Sequence, residues 1–277
     1  MSILSAVLLG IIQGVAEFLP ISSSGHLAIA QNLLGLKIEG SADGTFDVLL
    51  HLGTLIAVFI AYWPDIVDMI REFFLGIRDI AKGSTPTPVP PNRRMILLLI
   101  IGTLPLFALV PIKDSIEGLG ANTLVVGCAL LVTGVLLFFC DRHNHGRKTA
   151  SNVRIRDVLI VGIAQAFATI PGLSRSGTTV SVGCFLGMDR RFALRYSFLM
   201  SIPAVLGANI LSLKDVIADG MDMTLLPTYI AGVVTAAVLG YLSIRLLKFV
   251  TDKGKFGAFS YYCWIVGGLT IIGSLLQ

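Results

Sequence analysis

The chain has 277 residues, of which 55% are apolar and only 14% are charged, and its mean hydropathy is +0.84. This balance is typical of polytopic membrane proteins and excludes an ordinary soluble domain. The net charge of +4 is modest, and the basic residues form short clusters between apolar runs. We therefore interpret them as topology signals and exclude a nucleic-acid partner.

In chain order the sequence contains two broken apolar stretches and six uninterrupted apolar runs. The first broken stretch, residues 2–31, has LPISSSGH near its middle, and the second, residues 158–187, has IPGLSRSGTT. Pro, Gly and Ser at these places predict a broken helix instead of a continuous span. Each uninterrupted run is long enough to cross the ~30 Å hydrocarbon layer as a helix. These runs cover residues 46–63, 95–111, 122–140, 192–211, 227–246 and 258–276.

The basic residues predict how these elements are threaded through the bilayer. Of the 21 Lys and Arg residues, 17 lie in the stretches 64–94, 141–157, 190–195 and 245–255. Positive residues concentrate in cytoplasmic loops, so we assign all four stretches to the cytoplasm. If six spans cross, the second broken stretch must enter and leave from the cytoplasm, and the first must enter and leave from outside. Both termini are then predicted to lie outside.

The two broken stretches also resemble each other in sequence. At a fixed offset of 152 residues, without a gap, seven positions are identical. These are Gly10, Ile11, Gln13, Ala16, Ser22, Ser24 and Gly25, which coincide with Gly162, Ile163, Gln165, Ala168, Ser174, Ser176 and Gly177. Re-entrant hairpins that enter from opposite faces are the arrangement that inverted-topology repeats produce. We therefore predict one all-α membrane domain, residues 1–277, with one repeat in 1–140 and the other in 153–277.

In each broken stretch a turn rich in Ser and Gly precedes a renewed apolar run, which predicts a half-helix that begins inside the membrane. The free N–H groups and positive dipole at such a start bind anions, and the serines add donors and caps. Arg175 adds a planar guanidinium suited to phosphate oxygens. Two such starts that converge predict a diphosphate site. The alternative is that the serines only satisfy the backbone at a helix break, and that Arg175 only pairs with Glu17.

Gln13 and Glu17 are four residues apart and therefore share one helix face. Together with His26 they could orient a divalent cation, activate a nucleophile or protonate a leaving oxygen. An acid, hydroxyls, a His and an Arg in two related turns match the roles needed for phosphoryl transfer. Asp47 and His51, also four residues apart, are weaker candidates, because an interfacial cap and a packed polar helix face explain them about as well.

On these motifs the sequence resembles the bacterial undecaprenyl pyrophosphate phosphatases, also called bacitracin-resistance phosphatases. The resemblance extends over essentially the whole chain and is specific in Q-x-x-x-E-F-L-P-I-S-S-S-G-H at 13–26 and P-G-x-S-R-S-G-x-T at 171–179. It implies a hydrolase that converts the C55 polyprenyl diphosphate to the monophosphate and so recycles the lipid carrier of cell-wall synthesis. It also implies a multi-pass protein of the bacterial inner membrane, with its active site toward the outer face.

The resemblance further implies roles for individual residues. Glu17 corresponds to the motif acid, Ser23 to the proposed nucleophile, His26 to the acid/base and Arg175 to the phosphate clamp. The supporting phosphate-binding residues are Ser22, Ser24, Gly25, Ser174, Ser176, Gly177 and Thr179. A divalent cation, Mg²⁺ or Ca²⁺, is implied, with Glu17 and Gln13 as its ligands. Because Gln13 cannot ionise, this pair has one acid where a Glu/Glu relative has two.

Two alternatives stay open at this point. Inverted repeats whose broken helices meet at mid-depth are also typical of transporters, so a carrier or lipid flippase for a phosphorylated substrate is the second candidate. Within the enzyme, the nucleophile is either Ser23 or a water activated by Glu17 or His26. The expected partners are the diphosphate lipid and membrane lipid. The oligomeric state, monomer or homodimer, stays open.

Overall fold

The computed structural model describes residues 2–33, 45–84, 86–143, 146–219 and 223–276, and in these ranges the protein is helical without a β-sheet. A single parallel bridge joins Lys148 to Met188. The α-helices are α1 Ile3–Phe18, α2 Ser23–Leu33, α3 Thr45–Ala61, α4 Trp63–Ala81, α5 Pro91–Phe107, α6 Lys113–Gly118, α7 Thr123–Arg142, α8 Ile155–Phe167, α9 Arg175–Phe185, α10 Arg190–Asp219, α11 Leu226–Asp252 and α12 Phe259–Leu275.

Several of these helices meet the requirements of a membrane span. Within the described ranges, five helical segments are long and apolar enough to cross a bilayer, and the number is six if α3 and α4 count as one bent span. Many large apolar side chains on them face outward, among them Ile265, Leu269 and Phe249, which are 61–64% exposed. Outward apolar surface of this kind is expected where lipid is the solvent. The prediction of an all-α integral membrane protein is confirmed.

The stretch 64–94, which we predicted as a basic cytoplasmic loop, contains an additional helix. After Tyr62 the chain bends by 78° and continues as α4, in which Pro64 occupies the first turn. Helix α4 is amphipathic. Trp63, Ile70 and Phe74 are more than half exposed. Two of its acids, Glu72 and Asp79, pair with Arg93 of α5. The short helix α6, between α5 and α7, was likewise not predicted.

Both broken stretches form a helix, a turn and a second helix. Helix α1 ends at Phe18 and α2 begins at Ser23; α8 ends at Phe167 and α9 begins at Arg175. At the offset of 152 residues, α1 and α8 begin at equivalent positions, and so do α2 and α9. The inverted repeat, the orientation in the membrane and the outside location of both termini stay predictions.

The first helix of each hairpin packs against a long helix from the other half of the chain. Helix α1 lies along α11, and α8 lies along α5, while α7 and α12 pack together. Small residues make the first of these contacts close: a Cβ at Gly14 would lie 2.7 Å from the Ala236 carbonyl oxygen and 3.0 Å from the Gly240 nitrogen. Glycine is required here because it lets the backbones of α1 and α11 approach directly. This contact positions the C-terminal end of α1, where Glu17 lies.

Candidate active site

Glu17 lies in the last turn of α1 and is 8% exposed. The helix ends there because Leu19 is extended and Pro20 follows, and a residue before proline disfavours the helical conformation. A buried carboxylate in a membrane protein needs partners, since burial of an unpaired charge is costly. The partners of Glu17 therefore define the candidate site.

The turn after α1 is held by Ser22. Among the described residues it is the one non-glycine residue with positive φ, at 73°. Its Oγ accepts from the Gly25 N–H at 3.2 Å, which is an N-terminal cap of α2. A serine in the left-handed conformation costs energy that the surrounding structure must offset, a feature found often at functional sites.

The turn after α8 repeats this arrangement with Ser174. Its Oγ accepts from the Gly177 N–H at 3.1 Å and caps α9. The Ser174 N–H in turn donates to the Thr133 hydroxyl on α7 at 3.1 Å. Each turn also contains a serine pair at 3.3 Å, Ser22 with Ser24 in the first and Ser174 with Ser176 in the second. The two half-helices thus begin with equivalent caps.

The two turns are in direct contact. A Cβ at Gly25 would lie 3.0 Å from Cα of Gly172, and a Cβ at Gly177 would lie 3.3 Å from Cβ of Pro20. Gly172 has φ +98°, which favours glycine at this contact. The positive ends of α2 and α9 therefore converge on one region, as the sequence predicted. Two helix N-termini directed at one place favour an anion there.

Glu17 joins the two turns. Its Oε1 accepts a hydrogen bond from Arg175, the first residue of α9. Its Oε2 accepts from the Ser23 hydroxyl, in the first residue of α2, at 2.6 Å. Ser23 and Arg175 occupy equivalent positions at the offset of 152 residues. The same carboxylate therefore contacts the leading residue of both half-helices, with the Arg175 side chain 25% exposed.

Gln13 completes this network from one turn earlier on α1. Its Nε2 donates to Glu17 Oε2 at 3.2 Å, and its own Oε1 is buried without a hydrogen-bond partner. Within the described residues, no three His, Cys, Asp or Glu side chains group together as a metal cage. One carboxylate and one free amide oxygen do fit a Mg²⁺ or Ca²⁺ ion that takes its remaining ligands from substrate phosphates and water. This fit to the donor set is the support for a cation at Gln13 and Glu17.

His51 is nearer to Glu17 than our sequence reasoning indicated. Its Nε2 lies 4.0 Å from Glu17 Oε2, and its Nδ1 bonds the Asp47 carbonyl at 2.7 Å. The side chain of His51 is 34% exposed, so it lies at the rim of the site. The sequence had indicated His51 through its spacing of four residues from Asp47 at the start of α3. Periodicity alone could not distinguish that pair from a packed polar face.

His26, the expected acid/base, lies on another side of the first turn. Its Nδ1 donates to the Ser22 carbonyl at 2.8 Å, and its Nε2 lies 2.8 Å from the Tyr262 hydroxyl on α12. The two rings stack at 5.6 Å with an angle of 10°. Because a carbonyl only accepts, Nδ1 holds the proton and Nε2 of the neutral ring accepts from Tyr262. Tyr262 was not a sequence-based candidate, since nothing in its local pattern distinguishes it.

The remaining predicted phosphate-binding residues lie in or beside the two turns. Ser24 is exposed and Ser176 is buried. Thr179, one turn into α9, donates to the Arg175 carbonyl at 2.8 Å and lies 2.6 Å from the Ser197 hydroxyl of α10. Its hydroxyl therefore ties α9 to α10, which fixes the helix that begins with Arg175.

Comparison with known proteins gives a family for this chain. Residues 6–269 match the family described as Bacitracin resistance protein BacA. The chain is 42% identical to an undecaprenyl-diphosphatase from Methanosphaera stadtmanae, over 100% of this chain and 99% of that protein. It is 41% identical to one from Methanobrevibacter smithii, over 99% of both chains. An undecaprenyl-diphosphatase from Alkaliphilus metalliredigens is 41% identical over the full length of both. The chain belongs to the bacitracin resistance protein BacA family.

Proposed function

We propose that this protein is an undecaprenyl-diphosphatase, which hydrolyses the C55 isoprenoid diphosphate to the monophosphate and inorganic phosphate. The observation that supports this most strongly is the contact of Glu17 with both Ser23 and Arg175, at the meeting point of two helix N-termini. Phosphoryl transfer needs a nucleophile, a proton acceptor and a positively charged group that binds phosphate, and Ser23, Glu17 and Arg175 can supply them. The relatives that carry this name match the chain over its whole length.

The diphosphate binds between the two turns. Its oxygens accept hydrogen bonds from the free N–H groups at the starts of α2 and α9, from the turn serines and from the Arg175 guanidinium. Arg175 then exchanges the Glu17 carboxylate for a phosphate oxygen. Loss of the adjacent positive charge makes Glu17 a stronger proton acceptor at the moment when the substrate is in place. Substrate binding and activation of the base are thereby linked.

Ser23 is the nucleophile in this mechanism. Its Oγ forms a bond to the terminal phosphorus while the bond from that phosphorus to the bridging oxygen breaks. The hydroxyl proton passes to Glu17 Oε2, and the lipid monophosphate leaves. A water then attacks the phosphoserine, Ser23 Oγ regains its proton from Glu17, and inorganic phosphate is released. In the alternative, Glu17 or His26 activates a water that attacks the terminal phosphorus directly.

A divalent cation at Gln13 Oε1 and Glu17 would offset the charge of the phosphates. The other steps depend on side chains of this chain. Arg175 orients the terminal phosphate, and Glu17 moves the proton of Ser23. His26 holds the Ser22 carbonyl and therefore the turn that presents Ser23. His51 lies at the rim, with its Nε2 facing Glu17.

The test is phosphate release from a C55 diphosphate by purified protein in detergent, with an acid quench after a single turnover. A radiolabelled terminal phosphate retained on Ser23, and absent from Ser23→Ala, supports the covalent route. Near-normal turnover of Ser23→Ala supports the route through water. Full activity of both Glu17→Gln and Arg175→Ala overturns this site.

The same assay separates the enzyme from a carrier. A flippase or transporter for a phosphorylated lipid would bind the diphosphate in detergent without releasing phosphate, with or without added Mg²⁺, because its function needs two membrane faces. We propose that the active site lies toward the outer face of the cytoplasmic membrane, since the positive residues predict that the hairpin with Glu17 and Ser23 enters from the side opposite to the basic loops. Accessibility of a Ser24→Cys variant to an impermeant thiol reagent in spheroplasts tests this orientation.

A further inference from the structure

A second group of cationic side chains lies away from the candidate active site, where α3 bends into α4. Tyr62, at the bend, is 2% exposed, and its hydroxyl has no hydrogen-bond partner. The Nζ of Lys248 on α11 lies over the Tyr62 ring, 3.9 Å from its centroid. At the bend, Lys248 thus contacts the face of the Tyr62 ring, and the Tyr62 hydroxyl has no hydrogen-bond partner.

Asp65, the acid that attracts the charge of this lysine, is already engaged. Arg195 on α10 pairs with Asp65 at 2.5 Å and with the Asn92 side chain at 3.3 Å. The Nε of Arg195 is buried without an acceptor. Arg195 and Arg245 are both close enough to Lys248 to repel its charge, and Asp65 attracts it. Lys248 therefore lies near two other cations, and Arg195 already pairs with Asp65.

Two buried atoms at this bend, the Nε of Arg195 and the hydroxyl oxygen of Tyr62, have no hydrogen-bond partner among the described residues. The ammonium of Lys248, the Nε of Arg195 and the hydroxyl of Tyr62 can each donate a hydrogen bond, and a buried donor without an acceptor is costly. A tetrahedral phosphate offers several acceptor oxygens and negative charge in one group. The surplus of positive charge has the sign that such a ligand requires.

The surroundings of the bend indicate that the phosphate belongs to a lipid. Helix α4 turns 78° away from α3 and exposes Trp63 and Val67 immediately after the bend. On α11, Leu246 and Phe249 beside Lys248 are 49% and 61% exposed. An amphipathic helix in this orientation lies in the plane of the headgroups, where acyl chains contact its apolar face. The bend also adjoins the basic stretches 64–94 and 245–255, which we predict to face the anionic cytoplasmic leaflet.

We propose that the bend between α3 and α4 binds the phosphate of an anionic membrane lipid through Lys248, Arg195 and the hydroxyl of Tyr62. The acyl chains lie along the exposed faces of α4 and α11. This site is separate from the proposed diphosphatase site, and its occupation requires no turnover.

The experiment is native mass spectrometry of the purified full chain in neutral detergent, with phosphatidylglycerol or phosphatidylcholine added. Detergent removes the general surface potential of a membrane, so only a specific site retains the anionic lipid. We expect the wild type to retain phosphatidylglycerol in preference to phosphatidylcholine. Lys248→Gln should lower the affinity for phosphatidylglycerol about fivefold, and Tyr62→Phe, which keeps the ring, should lower it as well.

The matched control is Lys253→Gln, which removes the same charge from the C-terminal end of the same helix. Lys253 lies near the Phe249 ring and outside the bend. Unchanged affinity in Lys253→Gln supports the site; equal losses in Lys253→Gln and Lys248→Gln overturn it.

A parallel series measures thermal unfolding of the protein with either inorganic phosphate or phosphatidylglycerol added. If inorganic phosphate raises the melting temperature as much as phosphatidylglycerol does, the site takes free phosphate and the assignment to a lipid is wrong.

Discussion

Glu17 and Arg175, 158 positions apart in the chain, form an ion pair that joins the end of α1 to the start of α9. Each residue alone would be an unpaired charge in a largely buried place. Together they hold the two hairpin turns against each other, and Ser23 donates to the same carboxylate. We therefore expect the pair to contribute both to stability and to activity, and mutations can separate these two contributions.

The single variants Glu17→Gln and Arg175→Gln should each lose at least about 100-fold in phosphate release. Each should also lose about 3 kcal/mol of stability, because one buried charge remains without its partner. The double variant should recover most of the stability and none of the activity. Thermal unfolding in detergent and phosphate release measure the two effects. Recovery of activity in the double variant would show that the pair is purely structural.

Tyr262→Phe should weaken catalysis through His26. The change removes the hydroxyl that donates to His26 Nε2 and keeps the stacked ring. Because the two residues form one unit, the effects of Tyr262→Phe and His26→Gln on kcat should be non-additive, with a coupling energy of about 0.5–3 kcal/mol.

The matched control for that cycle is Tyr261→Phe. Tyr261 is adjacent, 59% exposed, and in contact with the Trp264 ring. We expect wild-type kcat for Tyr261→Phe. Simple additivity between Tyr262→Phe and His26→Gln would contradict the positioning role of Tyr262.

Gly14→Ala should destabilise the protein and lower its activity together. The added methyl would meet the Ala236 carbonyl oxygen at 2.7 Å, so α1 must move away from α11 and shift Glu17. Overpacking of this kind costs typically about 1–3 kcal/mol. Gly268→Ala on α12 is the control, since a methyl there meets nothing within 4 Å. Thermal unfolding should separate the two variants; equal melting temperatures would be evidence against a tight contact at Gly14.

His51→Ala should reduce kcat/KM for the diphosphate about tenfold or more, because the side chain faces Glu17 at the rim of the site. His143→Ala is the comparison. His143 is the C-cap residue of α7, at the basic end of α7. Its activity should match the wild type. If His51→Ala retains full activity, the packed polar face suggested by the sequence is the better account of His51.

Much of the fold could be predicted from sequence because membrane solvent imposes simple rules. A span needs a long apolar run, so the six runs were visible and each corresponds to a helix of the structure, with the first as part of a bent pair. Pro, Gly and Ser interrupt helices locally, so both turns were visible as well. Helix α4 was missed because its polar face and basic flanks mimic a cytoplasmic loop, although its apolar residues follow a helical period.

The sequence by itself determined the chemistry that is local: serine caps at two turns, an acid four residues after an amide, and one arginine inside a broken helix. Only the tertiary structure decided which of these groups meet. Arg175 and Ser23 reach one carboxylate because α1 and α9 come from different halves and their turns pack through Gly25 and Gly172. His51 on α3 faces Glu17 on α1, and His26 on α2 faces Tyr262 on α12, which are also contacts between separate helices. Periodicity gives the face of a helix, but the neighbour of that face depends on packing between segments far apart in the chain.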